Sequence, residues 1–209
     1  MKVLLTAFNP FAGRSLNAAA ETLKHIKRHN ISVHEFELVK VELPTEYERS
    51  REILKESLLR EKPDLVIALG EAAGRNRISL ERVAINLNDS KAKDNANYLA
   101  QDEKIFKDGQ NAYFSNLDLK ALEAFLKSKD IPVSISNTAG TYVCNNVFYS
   151  LMYFIDKYDL DTKAGFVHLP LIPEEVLDNN YASMSLDLLI KAVNLIIFKC
   201  LEDLGSSNE

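Results

Sequence analysis

The sequence predicts an α/β fold: a single-domain, three-layer α/β/α sandwich built on a twisted, mainly parallel sheet. Three observations carry that expectation. Runs such as Leu65-Val66-Ile67-Ala68-Leu69 are continuously apolar, as strands buried on both faces must be. Strand-like runs alternate with segments of helical spacing, the order that lays helices on both faces of a parallel sheet. No Pro/Gly/Ser-rich or charge-block stretch divides the 209 residues, so 1–209 reads as one domain, and 46% hydrophobic residues suffice to fill its core.

The elements follow in order. Val3 to Ala7 is a buried strand that runs into a loop of small residues through Pro10 and Gly13. Asn17 caps a helix from Ala18 to His29, with Ala20, Leu23 and Ile26 on one face and Asn30 as a stop. Ile31 to Leu43 holds one or two strands through Val33, Phe36, Leu38, Val39 and Val41. Thr45 and Glu48 form a capping box for a helix from Thr45 to Glu61, ended by Pro63 and Asp64. Leu65 to Leu69 is the next strand, closed by Gly70, and Ile78, Leu80, Val83 and Ile85 mark an extended segment up to Asn86.

From Asn88 to Asn111 the chain is polar and reads as a long loop, a lid or contact arm in preference to a disordered insert. Helical spacing returns from Leu117 to Lys129, Val133 to Ser136 is a strand, and Cys144 to Tyr158 is a helix. Gly165 to Leu169 and Ser185 to Leu204 complete the pattern as strand and closing helix.

Thirty acidic side chains against twenty-five basic ones give a surface that repels phosphate backbones and anionic lipid, so neither nucleic acid nor a membrane is the expected partner. The N-terminal apolar run is too short for a secretion signal and no run reaches the length of a membrane span, so a cytoplasmic protein is expected. Two cysteines, Cys144 and Cys200, make no disulfide framework, and no His/Cys cluster has metal-ligand spacing. His25, His29 and His34 lie in one polar stretch among Lys24, Lys27 and Arg28 and read as a solvated face.

In sheets of this kind ligands bind beyond the carboxyl ends of the strands, which here means Phe8 to Gly13, Gly70 to Arg75, Thr138 to Cys144 and His168 to Pro173. Cys144 follows a strand and a turn of small residues and opens a helix, where the dipole and unpaired N–H groups favour a thiolate, at roughly 3.5–7.5 in comparable settings. Alone, such a thiol is more commonly a small packed hydrophobe, and His168 a hydrogen-bonded core histidine; together they fit a nucleophile and its proton shuttle. Glu81 interrupts an apolar segment, where a carboxylate needs a partner, so it is the candidate to orient the imidazole; a bridge to Arg82 or Arg77 is the competing expectation. Cys200 lies mid-helix between Phe198 and Leu201 and is assigned no role.

Four blocks stand out: Thr6-Ala7-Phe8-Asn9-Pro10-Phe11-Ala12-Gly13; Gly70 to Arg75 with Glu81-Arg82-Val83-Ala84-Ile85-Asn86; Ser136 to Asn145; and Gly165 to Pro170. Together they resemble the pyroglutamyl peptidase I, or pyrrolidone carboxyl peptidase, family. The resemblance implies a cysteine peptidase that releases N-terminal pyroglutamate from peptides without metal or cofactor. Cys144 is then the nucleophile, His168 base and then acid, and Glu81 the orienting carboxylate. Phe8, Phe11, Tyr142 and Val143 would enclose the lactam ring, with backbone near Glu71 meeting its polar edge. The resemblance also implies a homo-oligomer, commonly a tetramer.

Ala7, Ala12 and Ala18 stand where the family usually has Gly, Gly and Pro, and Lys91 where arginine is common, so a contact there keeps the charge without the planar fork. Two other readings stay open: a binding or redox-sensing protein on the same fold, and a cysteine hydrolase of shifted preference. A phosphorylase-like transferase ranks last, since no phosphate-cradling Gly-rich run is present.

Overall fold

The computed structural model describes residues 1–11, 13–31 and 35–206. Ala12, Val33 and His34 therefore lie outside the described residues. Eight strands and five α-helices are formed among the described residues: β1 Lys2–Phe8, α1 Ala18–His25, β2 Glu37–Leu43, α2 Tyr47–Glu61, β3 Leu65–Glu71, β4 Ile78–Glu81, β5 Val83–Ile85, β6 Ala112–Phe114, α3 Leu119–Lys127, β7 Val133–Ser136, α4 Val143–Lys157, β8 Lys163–Leu169 and α5 Leu186–Ser206. Short 3-10 turns at Arg28–Asn30 and Pro173–Glu175 add to these.

The main sheet runs β2-β1-β3-β8-β4-β7, and β5 pairs with β6 apart from it. β2, β1, β3 and β8 are parallel to one another; β4 and β7 are parallel to each other but oppose β8. Only residues 72–77 separate β3 from β4. A parallel return needs a crossover of a dozen residues or more, so so short a link brings the chain back in the opposite direction.

Strand alternation divides the core in two. Val3, Leu5, Leu65, Ile67, Leu69, Val167 and Leu169 pack against α1, α3 and α5, whereas Leu4, Val66, Ala68, Ala164 and Phe166 pack against α2 and α4. The three-layer α/β/α expectation is met.

Several local expectations are corrected. Asn17 does cap α1, its Oδ1 accepting from the backbone of Ala19 and Ala20, but the helix stops at His25 and the chain continues into the Arg28–Asn30 turn. The capping box at Thr45 and Glu48 is not made. Thr45 is held by Asn9 instead, its N–H donating to Asn9 Oδ1 at 2.8 Å and its hydroxyl to the Asn9 carbonyl at 2.9 Å. The N-terminus of α2 is satisfied from a distance: Asp94 Oδ2 accepts from the Tyr47 N–H at 3.0 Å, while Asp94 Oδ1 accepts from Ala96 and Tyr98. The extended segment up to Asn86 divides at Arg82, β4 entering the main sheet and β5 the small one.

The polar stretch from Asn88 to Asn111 has little regular structure yet is bound to the body. Asn88 and Glu103 form a β-bridge across it, and Asn86 Nδ2 donates to the carbonyls of Phe106 and Gly109. Asn145 Nδ2 donates to Ile85 and Leu87, and Asn146 Nδ2 to Asn88 Oδ1. A contact arm, in place of a disordered insert, is what these bonds describe.

Asp94 is 6% exposed and accepts three backbone hydrogen bonds, so its replacement by alanine leaves buried donors unpaired. Asp94→Ala should lower the stability to urea unfolding by about 1–3 kcal/mol. An unchanged midpoint would refute the assignment of Asp94 as the staple between the arm and α2.

Candidate active site

Alternation along β4 and β8 delivers two ionisable side chains to one face. Ile78 and Leu80 point into the α1/α3/α5 core, as do Val167 and Leu169, so Glu81 and His168 emerge on the side of α4. The antiparallel register sets Glu81 opposite Phe166 and Ser79 opposite His168, a diagonal offset that long side chains can span. His168 Nδ1 lies 2.7 Å from Glu81 Oε1. An ionised carboxylate only accepts, so Nδ1 carries the hydrogen and Nε2 is left as the basic atom.

The thiol arrives from α4. Tyr142 is the N-cap, so Cys144 is the second residue of the helix, where backbone N–H groups have no carbonyl partner within the helix. The preceding turn reverses through Gly140 at φ +78, a conformation open to glycine at little cost. On β3, Gly70 is the register partner of His168. A Cβ at Gly70 would stand 2.7 Å from Phe166 Cζ and 3.0 Å from Cys144 Sγ. The sulfur thus rests directly above a residue paired with His168, and only a hydrogen fits beneath it.

Glu81 is 0% exposed, and its Oε1 accepts a second hydrogen bond, from Arg75 Nη1 at 2.6 Å. Arg75 Nη2 donates to the Thr138 carbonyl at 3.1 Å and so ties the turn before Cys144 to the same carboxylate. The expected rivals bind elsewhere: Arg82 to Asn137 Oδ1 and Arg77 to Asn76 Oδ1. Glu81 Oε2 is buried with no hydrogen-bond partner among the described residues.

The depressed thiol pKa expected of a helix N-terminus is overturned. Burial, then the carboxylates of Glu81 and Glu71, push Cys144 up to about 12, while Arg75 and a backbone N–H pull only weakly the other way. Burial also holds His168 below 6.5 against the upward pull of Glu81. Burial thus disfavours the charged form of both the thiol and the imidazole.

The pyroglutamyl peptidase family model matches residues 1–203 of the chain. The chain belongs to that family. It is 48% identical over 188 residues to the pyrrolidone-carboxylate peptidase of Thermosipho melanesiensis, covering 90% of this chain and 92% of that one. The pyrrolidone-carboxylate peptidase of Thermosipho africanus is 46% identical over 194 residues, with 92% and 93% covered. The solved pyrrolidone carboxyl peptidase of Thermococcus litoralis superposes with a TM-score of 0.93 at 35% identity, covering 99% of this chain and 96% of that one.

Of the residues that the family resemblance assigns to a lactam pocket, Phe11 and Tyr142 are half-buried with ring centroids 6.1 Å apart. Phe8 is 3% exposed and packs on Phe166 at 6.5 Å, and Val143 is fully buried, so both lie behind that surface. Glu71 ends β3, and its side chain is occupied: Oε2 accepts from the Ala18 N–H at 2.7 Å and Oε1 pairs with Arg14 at 2.7 Å. The proline usual in the family at position 18 has no N–H to offer, so Ala18 supplies the donor that Glu71 uses. Arg14 also pairs with Glu175, which burial and the nearby Glu71 push up to about 7.

Lys91 is exposed in the arm, between Asp89, whose carbonyl accepts from the Thr141 hydroxyl, and Lys93, whose carbonyl accepts from the Tyr142 hydroxyl. Ala7 lies within extended β1, so its methyl group brings no backbone strain. Cys200 is 7% exposed within the core of α5, and burial pushes its thiol up to about 12.

Sequence reasoning named Arg75 only as the end of the Gly70 to Arg75 block, because an arginine's partner cannot be read from neighbours along the chain. It also overlooked Gly70 as anything but a strand end. Gly70→Ala should reduce kcat at least tenfold, because the sulfur must move before the methyl group fits, and activity should fall much further than the unfolding midpoint. A Gly70→Ala enzyme with wild-type kcat would show that the close seating of Cys144 on β3 has no bearing on the chemistry.

Proposed function

We propose that this protein hydrolyses the amide bond that follows an N-terminal pyroglutamyl residue, with Cys144 as nucleophile, His168 as proton shuttle and Glu81 as the carboxylate that orients it. The observation that carries the reading is the 2.7 Å bond between His168 Nδ1 and a fully buried Glu81, formed beside a half-buried thiol at a helix N-terminus. Membership of a family whose relatives are named for this peptidase activity supports it.

Burial disfavours the charged form of both thiol and imidazole, which favours general-base catalysis as the first step. As Cys144 Sγ attacks the carbonyl carbon, its proton passes to His168 Nε2, and the imidazolium formed is stabilised by Glu81. Backbone N–H groups in the first turn of α4 would donate to the carbonyl oxygen as negative charge develops on it. Collapse breaks the C–N bond, His168 returns the proton to the departing amine, and a thioester remains on Cys144. His168 then takes a proton from water, hydroxide adds to the thioester, and pyroglutamate leaves with the thiol restored.

Pyroglutamate is a flat, uncharged lactam, suited to apolar walls and a few directed hydrogen bonds. Phe11 and Tyr142 supply aromatic surface, Phe8 and Val143 back it, backbone at Glu71 would meet the polar edge, and Lys91 would stand near the carbonyl oxygen. Peptides with N-terminal pyroglutamate are the substrates on this reading. Among the described residues no helix is long and apolar enough to cross a membrane, which leaves a cytoplasmic location as part of the proposal. Assembly into a homo-oligomer, of the tetrameric kind implied by the resemblance, is proposed on the same footing.

Release of aminomethylcoumarin from its pyroglutamyl amide should be seen with the wild-type protein and lost with Cys144→Ala or after iodoacetamide. A prolyl amide, lacking the lactam carbonyl, should be cleaved far more slowly. An active alanine variant would exclude Cys144 as the nucleophile, and equal rates on the two amides would exclude a lactam pocket. The pH profile separates the two protonation schemes. His168 acts as a base only when neutral and its pKa is lowered, so kcat/KM should fall on the acid side only below 6.5. No loss should occur through the mildly alkaline range; a fall there would mean a resting thiolate–imidazolium pair.

A further inference from the structure

β4 and β7 close one side of the sheet, and apart from Glu81 their α4-facing side chains are serines. Ser79 is the register partner of both His168 and Ser134, and Ser136 that of Glu81. α4 packs over β3 and β8, and a groove of 690 Å³ lies along β4 and β7. Arg75, Arg77, Ser79, Ser134, Ser136 and Tyr181 line it, and no carboxylate does so among the described residues. Arg75 is neutralised by Glu81. Arg77 is exposed and its Nε donates to the uncharged Asn76 Oδ1 at 3.2 Å, so its positive charge faces the groove without a carboxylate upon it.

The order of strands gives the groove a direction. Phe8 lies at the end of β1, Cys144 sits above Gly70 of β3, His168 belongs to β8, and the groove covers β4 and β7. On the proposed reading the lactam ring lies toward β1 and the departing amine must stand beside His168, which protonates it. The remainder of the substrate then has to run away from β1, across β4 and β7. Strands are spaced about 4.8 Å apart, so the groove reaches about 10 Å from His168, and two extended residues span about 7 Å.

We propose that this groove is a subsite for the leaving part of the substrate and takes a carboxylate there, with Arg77 as its cationic contact. The inference rests on the pyroglutamyl reading above and adds a preference for an anionic leaving group. Small serines leave room for a peptide to lie on the sheet. Exposed ion pairs are weak, so the expected effect is a difference of roughly two- to fivefold, expressed in KM and diminished by salt.

The test uses three peptides: pyroglutamyl-alanyl-alanine as the free acid, its C-terminal amide, and pyroglutamyl-alanyl-glutamate as the amide, which moves the charge to a side chain. The wild-type enzyme should show a lower KM for the free acid than for the neutral amide. A low KM for the glutamate amide as well would assign recognition to any carboxylate in reach, and a low KM for the free acid alone to the chain terminus; either outcome supports the subsite. Arg77→Glu should reverse the preference, and Arg77→Lys should keep it, while both cleave pyroglutamyl aminomethylcoumarin at the wild-type rate. Equal KM for acid and amide, or a preference that survives Arg77→Glu, overturns the subsite alone. Failure of the wild-type enzyme to cleave the coumarin amide overturns the pyroglutamyl reading and the subsite with it.

Discussion

One buried oxygen, Oε1 of Glu81, holds the candidate site together. It accepts from His168 and from Arg75 at once, in a setting with no exposure to solvent. An ionised carboxylate taken out of water is costly unless charged or strongly polar donors replace its hydration. Arg75 is one such donor and the His168 ring the other. Opposing influences act on the imidazole: burial and the positive charge of Arg75 lower its pKa, while Glu81 raises it.

The same arginine reaches the Thr138 carbonyl, in the turn that leads to α4. His168, Glu81 and the turn before Cys144 are thereby linked through a single guanidinium, whose planar fork serves two acceptors in different directions. Sulfur placement is limited by sterics from below, at Gly70, and the arm is bonded to the turn and first residues of α4 through Thr141, Tyr142 and Asn146. Such preorganisation is what a low-polarity site requires, since a misplaced donor there cannot be replaced by water.

The arm also shows why polarity along a chain is a poor guide to order. Its polar groups are spent within the protein: Asp94 closes the end of α2 and accepts from Ala96 and Tyr98, and the carbonyls of Phe106 and Gly109 accept from Asn86. A segment without apolar periodicity was therefore recognisable as a loop, but its attachment was not, because each bond joins residues far apart in sequence. Thr45 is the converse case. It has the spacing of a capping box, yet Asn9 offered its hydroxyl and N–H better partners.

The order of the main-sheet strands and of the helices, though not β6, was legible in the sequence, as were the two-sided burial of β3 and the cap at Asn17, and Cys144, His168 and Glu81 stood out there as candidates. Each depends on periodicity, local hydrogen bonding or the residue type itself. What tertiary structure alone decided is direction and partnership: that β4 and β7 run against β8, that Glu81 meets Arg75 in preference to Arg77 or Arg82, and that burial and nearby carboxylates push the Cys144 thiol up instead of down. The physical reason is that register across a sheet, desolvation and the field of distant charges are properties of packing. They arise from residues brought together across the fold, and no local spacing encodes them.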